Sequence, residues 1–133
     1  MSQISLINNK ILGYTVSEKI GTGAFGTVYK VVKTNPSGQY VRALKHISIP
    51  SEKQYYSVLN SMGGNVSKAN SYFTQMLNNI VSEIQILNEL SEKGEQYVVR
   101  YYENDIFMTD SPRKYDIFIL MEYLTPLVRY MCC

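Results

Sequence analysis

The spacing of apolar residues changes period twice along the chain, and those changes divide it into three zones. In the first, from Tyr14 to Pro50, the period is that of strands. Thr27 to Lys33 (TVYKVVK) is rich in β-branched and aromatic residues, and Gln39 to Ile49 (QYVRALKHISI) alternates apolar with polar. Asn35-Pro36-Ser37-Gly38 between them has turn chemistry, because proline presets φ and glycine permits positive φ. These two strands are expected to form a hairpin.

In the second zone the period lengthens to that of a helix. From Ala69, apolar residues recur at Tyr72, Phe73, Met76, Leu77, Ile80, Val81, Ile84, Leu87 and Leu90, which places them on one broad stripe. Gly94 suits the C-terminal stop, with Lys93 near the negative end of the helix dipole. A shorter helix is expected from about Ser51 to Leu59, with Met62-Gly63-Gly64-Asn65 as the break. The third zone returns to strand at Val98 to Met108 and Tyr115 to Met121, separated by Thr109-Asp110-Ser111-Pro112. Three strands, one or two helices and two strands in that order imply an α+β fold, an antiparallel sheet with helix packed on one side.

Composition narrows the functional classes. A chain of 133 residues with 45% apolar and 18% charged residues is expected to be one globular domain. Thirteen basic against eleven acidic residues leave a net charge of +2, too little to suggest a nucleic-acid or polybasic membrane partner. His46 is the single histidine, so a Ser/His/Asp or Cys/His centre would have to be built on it alone. The only cysteines, Cys132 and Cys133, are adjacent, which offers neither a disulfide framework nor a zinc site of familiar spacing. There is no run of ~18 apolar residues, and MSQISLINNK lacks the order of a secretory signal. A cytoplasmic setting is expected.

Three features carry chemistry. Gly21-Thr22-Gly23-Ala24-Phe25-Gly26-Thr27-Val28 is a GxGxxGxV run followed by a strand rather than a helix. It reads either as ordinary tight turns or as a glycine-rich hairpin whose bare backbone can lie close over phosphates. Lys45 shares a strand face with Val41 and Ala43. It is either a rim lysine that snorkels to water or an ammonium that holds phosphate beneath the hairpin. Glu83 lies among Ile80, Val81, Ile84 and Leu87 on the long helix. It is a candidate partner for Lys45, or a solvated carboxylate at the edge of the stripe.

Glycine loop, strand lysine, helix glutamate and the closing strand Ile117-Phe118-Ile119-Leu120-Met121-Glu122-Tyr123-Leu124 occur in one order. Together they resemble the N-terminal lobe of eukaryotic-type protein kinases, over about Leu12 to Leu127. The resemblance implies a five-stranded antiparallel sheet with one long regulatory helix and an inserted short helix. Residues 1–13 would be an N-terminal extension, 14–124 the lobe with an insertion at about 51–71, and 125–133 the start of a linker. By position, Gly21, Gly23 and Gly26 would cover the nucleotide phosphates, with Phe25 at the loop tip. Val28 and Ala43 would roof the adenine, and Lys45 would hold the α- and β-phosphates with Glu83 fixing it. Met121 matches the gatekeeper; the Glu122 carbonyl and the Leu124 amide would bond the adenine edge.

Two departures stand out. The interval from Lys45 to Glu83 is longer than the family usually needs, so Ser51–Ser71 reads as an insertion: a packing surface, a partner site or a surface elaboration. No HRD-type loop, DFG segment or acidic residue follows Glu122. The expectation is therefore an ATP-binding lobe of a serine/threonine kinase, truncated and without phosphotransfer alone. ATP would bind weakly, and Mg2+ would be held only in a full-length parent, with no metal ligands here. A missing C-terminal lobe or another protein would be the partner, with self-association through the exposed apolar surface. The alternative is a free-standing, pseudokinase-type binding or regulatory module.

Overall fold

A computed structural model describes residues 6–23, 26–92, 100–110 and 113–123. Their elements are β1 (Lys10–Ile11), β2 (Tyr14–Gly23), β3 (Gly26–Asn35), β4 (Gly38–Ile49), α1 (Glu52–Ser61), α2 (Val66–Glu92), β5 (Tyr101–Thr109) and β6 (Lys114–Glu122). The fold is α+β, with one antiparallel sheet in the order β1-β2-β3-β4-β6-β5. The five strands expected become six among the described residues. The added strand, β1, is two residues long, too short to show a period. It is joined to β2 by Leu12 and Gly13, with φ of 53° and 84°, the double positive φ of a tight hairpin turn.

The hairpin expected around Asn35–Gly38 closes β3 on β4, with Asn35 opposite Gly38. The Ser51–Ser71 segment folds as α1, a turn and the start of α2. Ser51 opens α1 with a capping box: its hydroxyl accepts from the Gln54 amide at 3.2 Å, and the Gln54 side chain accepts from the Ser51 amide at 3.3 Å. At the other end the Gly63 amide donates to Asn60 O at 3.1 Å and the Gly64 amide to Leu59 O at 2.9 Å. This is a Schellman ending, for which the positive φ of Gly63 is needed. Asn65 then caps α2, its side chain accepting from the Lys68 amide at 3.0 Å.

The sheet has two covered faces. Against one lie α1 and α2: Ala69, Phe73 and Ile84 of α2 pack with Ile49, Ile117 and Ile119 of β4 and β6. Tyr55, Val58 and Leu59 of α1 border the same cluster, so α1 is part of the core. A hydrogen bond of 3.1 Å between Thr74 Oγ1 and the Tyr115 hydroxyl ties α2 to β6. On the opposite face Tyr14, Val16, Val31, Leu44, Phe118 and Leu120 form a second cluster, partly covered by Leu6, Ile7, Ile11 and Leu12. Among the described residues no helix is long and apolar enough to cross a membrane. The helix stop at Gly94 and the strand start at Val98 lie outside the described residues.

Candidate functional site

Residues opposite one another in an antiparallel ladder share a face, so the register assembles the site directly. Gly21 of β2 stands opposite Val28 of β3, Val28 opposite Lys45 of β4, and Lys45 opposite Ile119 of β6. The neighbouring row on the same face is Lys30, Ala43 and Met121. Both rows lie on the helix-covered face.

Val28 and Ala43 are buried, at 2% and 1% exposure, and pack with Ile20 and with Tyr123 at the end of β6. They make a small apolar floor between the glycine hairpin and the β6 terminus. Lys30 reaches over the Tyr123 ring at 5.8 Å. Lys45 is half-buried between Val28 and Ile119, and Met121 packs against the helix-side cluster.

Glu83 is exposed on the flank of α2, and no ion pair joins it to Lys45. Gly21, Val28, Ala43, Lys45 and Met121 are thus brought together, and Glu83 is not. Gly23 faces Gly26 where the hairpin closes. Glu122 is tied to the entry of β5: its amide donates to Arg100 O at 2.8 Å and its carboxylate accepts from the Arg100 amide at 3.3 Å. Phe25, Leu124 and residues 125–133 lie outside the described residues.

Gly26 has a structural reason of its own. Its φ is +131°, and a Cβ there would collide with the carbonyl oxygen of His46 and press within 3.2 Å of Ile47 Cγ1. Close approach of β3 to β4 therefore demands glycine at this position, whatever else the loop does.

One polar pair was not legible in the sequence. His46 Nε2 and Asp116 Oδ1 are 2.8 Å apart on the face away from the helices, with the imidazole stacked on Phe118 at 4.6 Å. The hydrogen bond to His46 holds the Asp116 carboxyl below the usual carboxylate range. The charges of Lys114 and His46 and the Ser48 hydroxyl act in the same direction, and partial burial opposes them. Strand alternation assigns each residue to a face, but only the β4–β6 register sets them side by side. Among the described residues no group of three or more His, Cys, Asp or Glu side chains could hold a metal ion. No protein-family model matches the chain.

Proposed function

We propose that the chain is the ATP-binding N-terminal lobe of a serine/threonine protein kinase. The observation that carries this reading is the lateral row Gly21–Val28–Lys45–Ile119, with Val28 and Ala43 buried beside Tyr123. A glycine hairpin, an ammonium and an apolar floor ending at the closing strand match the needs of a nucleotide. Backbone amides and Lys45 would take the phosphates, and Val28 and Ala43 the base. Neither an HRD-type loop nor a DFG segment occurs in these 133 residues, so phosphoryl transfer is not assigned to this chain by itself.

Titration with ATP, followed by amide NMR shifts, tests the reading. Gly21, Gly23, Val28, Ala43 and Lys45 should shift in fast exchange at millimolar nucleotide, and Lys45→Met should suppress the shifts. Absence of any response, or shifts confined to the opposite face, would overturn it. Phosphotransfer by the pure chain that is lost in Lys45→Met would overturn the inactivity. The exposed Glu83 favours a second reading, a kinase-like regulatory module; that module would leave the spectrum unchanged by ATP.

A further inference from the structure

Among the described residues β5 ends the sheet, leaving the outer side of its Glu103 to Thr109 stretch without a partner strand. The Glu122 amide bonds toward Arg100 on the β5 side, which sets the alternation along β6. Leu120, Phe118 and Asp116 therefore bond to Glu103, Asp105 and Phe107, and the main-chain groups of Asn104, Ile106 and Met108 point outward. One of these is already occupied: the Ile106 amide donates to Asp105 Oδ1 at 2.9 Å.

The two ends of the sheet also approach each other here. A groove of about 450 Å³ runs between Lys10, Ile11 and Leu12 on one side and Asp105, Phe107 and Phe118 on the other. It lies on the face away from the helices, so it is separate from the proposed nucleotide site. Phe107 is 52% exposed beside it.

We propose that this edge docks an extended, basic segment of a partner protein, which adds to the sheet by main-chain pairing with β5. The charge pattern chooses the occupant. On the groove face β5 presents Glu103, Asp105 and then Phe107, and the strand contains no basic residue. Lys10, the cation in the groove lining, stands across the groove on β1, while a strand paired to β5 sets its side chains beside the β5 acids. An added strand sets its alternate side chains opposite these three, which calls for two basic residues and an apolar one. A basic side chain also draws the Asp105 carboxylate away from the Ile106 amide, freeing that donor for the incoming strand. A second copy of this chain fits poorly: the two-fold antiparallel register that pairs all nine residues sets Asp105 against Asp105.

The test uses a synthetic nine-residue peptide of threonine and valine with lysine at the two alternate positions that face Glu103 and Asp105 and valine at the one that faces Phe107, and its counterpart with glutamate for lysine. Hydrogen exchange and fluorescence polarisation are read on the full chain. The lysine peptide should slow exchange of the Asn104, Ile106 and Met108 amides, and the glutamate peptide should not. Asp105→Asn and, separately, Glu103→Gln should each weaken the lysine peptide at least fivefold. Met108→Pro removes an outward donor at an exposed edge position and should abolish the protection. Equal responses to both peptides, or no protection of these amides, would overturn the proposal. So would protection that rises with protein concentration in the absence of peptide, which would make a second copy the occupant.

Discussion

Replacing Gly26 by alanine separates the structural role of the glycine loop from the nucleotide role proposed for it. Two costs follow from the geometry. The φ of +131° lies where a residue with a Cβ is strained by about 1–3 kcal/mol. The added Cβ also meets the His46 carbonyl, a backbone atom that cannot rotate away, so β3 must move off β4. Overpacking of this kind adds about 1–3 kcal/mol. Gly38→Ala is the control, because its φ is +141° but nothing lies within 4 Å of its Cβ. The strain is common to both, and the contact belongs to Gly26 alone. At about 4 °C per kcal/mol for a domain of this size, Gly26→Ala should melt some 8 °C below Gly38→Ala in thermal unfolding followed by circular dichroism, for a difference of about 2 kcal/mol. Melting points for the two variants within about 2 °C of each other would refute the reasoning. Glycine at position 26 would then be left with only the nucleotide role proposed for the loop.

Other expectations follow from the same packing. Phe73 is fully buried, so Phe73→Ala should lose about 3–5 kcal/mol in urea unfolding, whereas Ile86→Ala, at 56% exposure, should stay within about 0.5 kcal/mol. Lys45→Met should leave stability within about 0.5 kcal/mol, since it keeps an unbranched chain of similar length between Val28 and Ile119, while removing the response to ATP. The Asp116 carboxyl titrates lower in the folded chain than in the unfolded one. Its stabilisation is therefore complete above the unfolded value of about 3.9 and disappears as pH falls through the lower folded value. Wild type should exceed Asp116→Asn in melting temperature near neutral pH, and the gap should narrow below about pH 4; a constant gap down to about pH 2 would contradict the pairing.

Local chemistry made much of this fold legible in the chain. β-Branched and aromatic residues marked β3, alternation marked β4, the Asn35–Gly38 turn joined them, and the Gly63-Gly64 pair ended α1, because strand faces, turns and caps depend on neighbouring residues. The glycine run and Lys45 could likewise be placed on adjacent strands from their spacing. β1 was not legible, since two residues carry no period and the strand exists only through its pairing with β2.

The remaining features required contacts between residues far apart in sequence. Helical spacing put Glu83 beside the apolar stripe, but how α2 lies on the sheet decided that it faces solvent. The core role of α1 came from the Ile49–Phe73–Ile117 cluster, and the His46–Asp116 pair from the β4–β6 register. Gly26 shows the division most clearly. The sequence by itself determined that this residue follows a glycine-rich turn and opens a strand. Only the tertiary structure decided that it must be glycine, because the obstructing atom is a backbone carbonyl on another strand.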